Sequence, residues 1–423
     1  MIKKLLDLAK ENNIKLEVAI SKSVDTNIET LNDRVEKFEE AVVTTYKIKS
    51  LINNKIVNIT TEDISDPDKI IEDIVSNASI LDNNYEVSFA KEIDIQNNDI
   101  DFVEQDYEKV KQDLIKLNKY KDKYPNLKSI NMYYTNNYNK INIINDEVNL
   151  IDTNNLIYVY AELIWNENGI NQTGFFDIVL KEYNYEKIKN KFKETIRDMA
   201  KKIDANSCKS GRYSIILKNN QVFKLLKTYS SMFNAENINK KLSLLSDDYN
   251  KQVFSKEITI VEDPLNKDLL GTRLFDIEGN KTYYKEIIKN GKFITKLYDN
   301  KTSLKENTNP TGTSDGVRNM YILPGKYSYE ELIRDMKDGI IIDSIEGLHA
   351  GANVLTGELS LQATGYVVEN GIIGNALKLI IFQTSIKELF NKVRKIGNDL
   401  EFTSVIGGSP SILFDNIMIV GKE

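Results

Sequence analysis

Three Asn-Gly dipeptides, at 168–169, 290–291 and 370–371, each stand between runs in which apolar and polar residues alternate. Asn and Gly tolerate the positive φ that both central positions of a type I′ turn demand, so each pair predicts a tight hairpin. A chain punctuated in this way in both halves is committed to antiparallel sheet. Helical spacing between the alternating runs makes the fold class α+β, with an N-terminal α+β domain followed by a largely antiparallel, barrel-like C-terminal β domain.

The N-terminal stretch MIKKLLDLAKENN places Ile2, Leu5, Leu6 and Ala9 at helical intervals and is too polar for a signal peptide. Ile14, Leu16, Val18 and Ile20 alternate as in a half-buried strand. Asp66-Pro67 opens a helix carrying Ile70, Ile71, Ile74 and Ala78. A charged stretch from Glu92 to Asp106 is expected to be a surface connector, followed by a helix with Val110, Leu114 and Leu117 on one face. From Ser129 to Leu180 the period is two. Ile130, Met132 and Tyr134 predict one strand, Ile141 and Ile143 the next, and Leu156–Trp165 a third that leads into the first Asn-Gly turn. A helix over Tyr185–Ile203 should bury Ile188, Phe192, Ile196, Met199 and Ala200. The main boundary falls near residue 212, giving domains 1–212 and 213–423. In the second half, strand Tyr213–Leu217 precedes a helix with Val222, Leu225, Leu226 and Tyr229, and further helices are expected at Glu330–Met336 and Ile386–Ile396.

The chain has 423 residues but one His (His349) and one Cys (Cys208). That excludes an internal disulfide framework, an HExxH zinc motif and any multi-histidine metal site. A Ser-His or Cys-His mechanism would have to run through His349, with Ser360 or Cys208 as nucleophile. A net charge of −7, with no basic run, argues against binding nucleic acid through its phosphates, and the aromatic residues form no base-stacking platform. No run of about 18 apolar residues suggests a membrane span, so a cytoplasmic protein is expected.

Two acidic pairs, Glu262-Asp263 before Pro264 and Asp276 with Glu278, suit either acid–base work or turns. The densest glycine pattern is GLHAGANVLTGELSLQATGYVVENG, Gly347–Gly371. It is either a glycine-bent hairpin whose edge accepts an extended peptide or a barrel corner that needs bulges.

That stretch resembles the C-terminal signature of the TldD/PmbA family, also called TldD/TldE or modulator of DNA gyrase proteins. The family pattern is close to G-x-H-x-G-x-N-x-x-[ST]-G-[DE]-[FL]-S, met here by Gly347, His349, Gly351, Asn353, Thr356, Gly357, Glu358 and Ser360, then Gly365, Tyr366, Glu369, Asn370 and Gly371. Glu262-Asp263-Pro264, Phe275-Asp276-x-Glu278-Gly279, Asn290-Gly291, Asn319 with Pro324-Gly325, Gly397–Leu400 and Ser409–Ser411 continue the resemblance in order. It is clear from Gly211 onward and weaker over Thr60–Asp63 and Asn77-Ala78.

The resemblance implies a cytoplasmic metallopeptidase system that degrades or matures unfolded peptides. Its TldD-type subunit holds zinc with H-E-x-x-x-H on a helix and a later Cys. Here the corresponding helix reads Lys227, Thr228, Tyr229, Ser230, Ser231 and Met232, and the region of the later Cys reads GGSPS. The chain therefore looks like the PmbA (TldE) branch, with no cofactor of its own and zinc expected only in a TldD-type partner. A heterodimer with that partner or a homodimer is expected, alongside an unfolded peptide substrate, with this chain inactive alone. His349, Gly351, Asn353, Ser360 and Asn319 are the candidate peptide-groove residues. The rival readings are a non-enzymatic homodimeric binding protein and a metal-independent hydrolase using His349.

Overall fold

In a computed structural model, which describes residues 1–82, 88–167 and 169–422, the first half is one antiparallel sheet with helices packed on it. Its elements are α1 (Ile2–Glu11), β1 (Lys15–Leu31), β2 (Arg34–Ile52), β3 (Lys55–Thr61), α2 (Pro67–Ile80) and α3 (Tyr107–Asn118). Then come β4 (Leu127–Ile144), β5 (Asn149–Glu167), β6 (Ile170–Leu180) and α4 (Tyr185–Lys202). The strand order is β3-β2-β1-β4-β5-β6. The Asp66 carboxylate accepts the Lys69 N–H at 3.1 Å and Pro67 needs no partner at the first helical position, so α2 starts where the sequence places it. Helices α1 and α2 bury Leu5, Ala9, Ile70, Ile71 and Ile74 against Val18, Ile48 and Val57. Helices α3 and α4 cover Ile130, Met132, Tyr134, Val159 and Leu163.

Two details differ from the sequence reading, while the Glu92–Asp106 stretch is the surface connector expected. Ile130 to Ile143 lie in the single strand β4, not in two, because the polar run Thr135–Lys140 stays extended. Its buried Asn136 receives Asn155 Nδ2 at 2.6 Å and donates to the Val103 carbonyl at 2.9 Å, so polarity inside the strand is satisfied rather than exposed. The stretch Glu92–Asp106, mostly exposed and without regular structure, supplies that partner. It is pinned along β5 by Asn98 N–H to the Ile151 carbonyl (3.0 Å) and Val103 N–H to Asn155 Oδ1 (2.9 Å). Ala200 is exposed, since it sits about 100° around α4 from the buried Met199. Of the first Asn-Gly pair, Asn168 lies outside the described residues; Gly169 has φ +79° between β5 and β6.

The second half begins with β7 (Gly211–Leu217), α5 (Asn219–Thr228), α6 (Ala235–Asn239), β8 (Ile260–Glu262), β9 (Lys285–Lys289) and β10 (Lys292–Phe293). It continues through α7 (Asn300–Lys305), β11 (Met320–Ile322), α8 (Tyr329–Met336), β12 (Gly339–Glu346) and α9 (Leu348–Gly351). The remaining elements are β13 (Glu358–Glu369), β14 (Ile372–Ser385), α10 (Ile386–Asn391), β15 (Val393–Ile396), β16 (Glu401–Ser404), β17 (Gly407–Ser409) and β18 (Ile412–Val420). Helix α10 stops at Asn391 and Val393–Ile396 is a strand, so the expected longer helix is a short helix and a strand in succession.

Strands β14, β13, β12, β7 and β18 close into a barrel through the β14–β18 pairing, with β15 attached outside on β18. A second sheet, β10-β9-β8-β11-β17-β16, stacks beside it, and residues from both share one core around Phe254, Phe293, Phe382, Phe390 and Phe414. Barrel corners need bulges, and register shifts fall at Ala363/Gly365 and Tyr366/Val368. At Gly365 a Cβ would overlap the Ile341 carbonyl oxygen of the neighbouring strand, so only glycine fits. The other two Asn-Gly pairs form the β9–β10 and β13–β14 turns.

Candidate functional site

A cleft of about 400 Å³ opens where the two halves meet. Its walls are the 172–177 segment of β6, the Lys191–Lys202 face of α4, α5 with Lys224 and Lys227, Asp343–Glu346 of β12, and Thr403 and Ser404 of β16. Among the described residues both β6 and β16 are the end strands of their sheets, each paired on one side only. The cleft thus gathers two strands that still have hydrogen-bonding capacity and a helix between them. Gly174 admits Met199 of α4 against β6, where a Cβ would collide with the thioether.

Charge in the cleft is high and partly matched. Lys202 pairs with Asp343 at 2.7 Å and both meet the Thr364 hydroxyl. Lys191 pairs with Glu401 at 3.0 Å. Lys224 has no carboxylate partner among the described residues, and burial lowers its pKa against the weaker pull of Asp177 and Glu346. An ammonium held in this way is available to a carboxylate or carbonyl entering the cleft.

Helix α5 runs into a 3₁₀ turn, Ser230–Phe233, and this is the segment where the resemblance would place a zinc motif. The residues present do not fit that ion. Thr228 and Ser230 donate their hydroxyls to the Lys224 and Lys227 carbonyls, each at 2.8 Å. Tyr229 is fully buried, donates to the Glu358 carbonyl at 2.9 Å, and has its pKa pushed up to about 12 by burial. Met232 is in the core. Ser409 Oγ, in the region where a thiol would be sought, is buried and turned to the Pro410 carbonyl at 3.0 Å. Among the described residues no group of three or more His, Cys, Asp or Glu stands where it could hold a metal ion.

The five candidate groove residues are not in this cleft. His349, Gly351, Asn353 and Ser360 come together around α9 and the start of β13: a Cβ on Gly351 would meet the Ser360 carbonyl, and Ala352 bridges Leu359. His349 is exposed and makes no hydrogen bond to Ser360 or Glu358. Asn353 turns its carboxamide oxygen onto the Leu355 and Thr356 amides, at 3.0 and 3.2 Å. Asn319 stands apart, fully buried, accepting from Gly271 N–H at 2.8 Å and donating to the Asp263 carbonyl at 3.1 Å. Gly347–Gly357 forms α9 and a loop rather than one arm of a hairpin, and β13 is paired on both sides, which leaves the corner reading of this motif. Cys208 lies on the loop before β7, its thiol pKa raised by burial, so the thiolate a nucleophile needs is disfavoured.

The acidic pairs divide. Asp276 accepts the Glu278 and Asn280 amides, both at 3.0 Å, and Glu278 accepts the first amide of α7, from Asn300, at 2.8 Å; these are turn and cap roles. Glu262 has neither role. It is fully buried on β8 and ion-paired with Lys285 of β9, and the sequence held no signal for this beyond the alternation around it. The cleft residues Lys202, Lys224 and Asp343 were likewise missed, because they are distributed over three elements far apart in the chain.

The architecture is thus an α+β fold, a helix-clad antiparallel sheet beside a closed barrel, with a charged cleft between them. Residues 210–421 match the model of the PmbA/TldA metallopeptidase C-terminal domain, and the chain belongs to the PmbA/TldD family. It is 29% identical over 153 residues to metalloprotease PmbA of Escherichia coli O157:H7, covering 36% of this chain and 33% of that protein. It is 32% identical over 153 residues to a PmbA homologue of Buchnera aphidicola subsp. Baizongia pistaciae, covering 36% and 34%. The chain thus spans about a third of the length of these curated relatives. A solved Thermotoga maritima structure, of a protein named for modulation of a DNA gyrase, superposes with a TM-score of 0.89 at 26% identity over 99% of each chain. TldE of Thermococcus kodakarensis shares the fold, with a TM-score of 0.84 at 18% identity over 99% of this chain and all of that one. No helix among the described residues is long and apolar enough to cross a membrane.

Proposed function

We propose that this chain is a TldE-type subunit without its own zinc site, which pairs with a zinc-bearing TldD-type subunit and helps hold an unfolded peptide as an extended strand. The observation that carries the reading is the α5 terminus. Its hydroxyls are spent on backbone carbonyls, Tyr229 and Met232 are committed to the core, and Lys227 brings positive charge where a cation would sit. Two histidines a helical turn apart and an adjacent Glu would be needed to hold the ion and activate water there. Peptide holding is supported by the cleft, where β6 and β16 offer unpaired backbone groups, the donors and acceptors an added strand uses.

The test is elemental analysis and peptidase assay of the purified chain, alone and mixed with a TldD-type subunit, on an unfolded polypeptide. The expected result is no stoichiometric zinc and no cleavage alone, with a stable heterodimer and cleavage after mixing. Near-stoichiometric zinc in the isolated chain would overturn the proposal. So would a homodimer that ignores the second subunit, or metal-independent cleavage abolished by His349→Ala.

A further inference from the structure

Away from the cleft, a second recess of about 210 Å³ lies between β5 and the loops of the second sheet. Asp152, Asn154 and Tyr158 reach it from one face of β5, and Arg273 and Arg318 face them. Arg273 is only 4% exposed. One of its terminal nitrogens pairs with Asp315 and the other donates to the Gly316 carbonyl at 3.1 Å, but its Nε–H is buried with no partner among the described residues. Among the described residues the Arg318 guanidinium has a single ionic contact, at 3.9 Å, to the Asp315 carboxylate that Arg273 already uses. Its backbone N–H, not its side chain, meets Glu262. Burial and then the Arg273 charge lower the Arg318 pKa, with Asp315 pulling the other way.

The rest of the wall does not supply that anion. Asp152 spends one oxygen on Asn98 Nδ2 at 3.0 Å and the other on the Leu274 N–H at 2.8 Å, and pairs with neither guanidinium within 4 Å. Among the described residues the Tyr158 hydroxyl has no hydrogen-bond partner, and the Asn154 side-chain oxygen is buried without one. A buried guanidinium N–H left open is unfavourable, and here it stands beside a second under-paired arginine, the arrangement an entering anion would satisfy.

We propose that this recess binds a small oxyanion, a carboxylate or phosphate group, gripped by Arg318 and met by Arg273 Nε–H and the Tyr158 hydroxyl. The volume is below the roughly 300 Å³ at which drug-sized ligand pockets begin, so the occupant is a free anion of a few heavy atoms or the carboxylate end of a longer molecule. The site does not depend on the peptide-holding role of the cleft.

Calorimetric titration of the full chain with inorganic phosphate, succinate, a free-acid tetrapeptide and its C-terminal amide tests this, at constant ionic strength. At least one anion should bind with 1:1 stoichiometry. Arg318→Gln should weaken it at least about ten-fold and Tyr158→Phe by a few-fold, with unchanged circular dichroism. Binding of the free-acid peptide but not its amide identifies a chain terminus as the source; binding of phosphate or succinate alone identifies a free anion. No saturable binding by any of the four, or equal binding by wild type and Arg318→Gln, overturns the assignment. Because the Arg318 side chain makes one long ionic contact and no hydrogen bond among the described residues, its removal should spare the fold, and Tyr158→Phe keeps the test open if it does not.

Discussion

Glu262 and Lys285 stand opposite each other on β8 and β9, 0% and 5% exposed, with the carboxylate bonded to the ammonium and to the Arg318 N–H at 2.8 Å. Desolvation pushes the Glu262 pKa up and the Lys285 pKa down, each opposed by the partner's charge. Glu262→Gln keeps a carbonyl oxygen for Arg318 but turns an amide N–H₂ toward the ammonium. Breaking a buried pair from one side costs about 3–5 kcal/mol. Here the lysine can escape by losing its proton. From an ordinary pKa near 10.4, neutralising it at pH 7 costs about 3.4 units at 1.36 kcal/mol each, or about 4.6 kcal/mol, which caps the loss. The folded variant then binds fewer protons than its unfolded chain, so its stability rises with pH. The deficit should shrink by about 2.7 kcal/mol between pH 7 and pH 9. Glu262→Gln combined with Lys285→Met should recover most of the loss and abolish this pH slope. Urea unfolding followed by circular dichroism at pH 7, 8 and 9 measures all three proteins. A single-variant loss below about 1 kcal/mol, or one that stays constant with pH, refutes the reasoning.

Gly365→Ala should destabilise the barrel by about 1–3 kcal/mol or more, because the added methyl meets the Ile341 carbonyl and not a movable side chain; thermal unfolding reads it. Installing Lys227→His, Thr228→Glu and Met232→His together should not confer stoichiometric zinc in elemental analysis, since position 232 faces the core. Tyr229→Phe should cost about 1 kcal/mol in urea unfolding, through the orphaned Glu358 carbonyl. The hydrogen bond from Lys395 holds the Asp335 carboxyl below its ordinary pKa, so its contribution is present at neutral pH and lost as pH falls through its folded pKa. Asp335→Asn should therefore flatten the acid limb of the stability profile, by at most about 1 kcal/mol.

What could be read from the sequence was local. Helix α2 announces itself through Asp66, Pro67 and an isoleucine stripe, and the hairpins through Asn-Gly, because each signal acts within a few residues. The continuity of β4 was hidden since Asn136 is at home in a strand only when Val103 and Asn155 meet it, and neither is near in the chain. The short α10 was over-extended because Val393 and Ile396 continue a helical spacing that pairing with β18 overrides. The same limit applies to the site. The sequence pointed to the end of α5 through its resemblance, but the cleft exists only once β6, α4, β12 and β16 have converged on that helix.

The barrel has a kinetic corollary. Leu217 of β7 is hydrogen-bonded beside Ile412 of β18, some 195 positions later, and β18 also seals the ring against β14. A nascent chain must therefore carry β7 and β14 with raw margins throughout synthesis of the intervening half-barrel. Ring closure, a loop of that span, should be the slow step of folding, and the interval before it is when a chaperone would have most to shield.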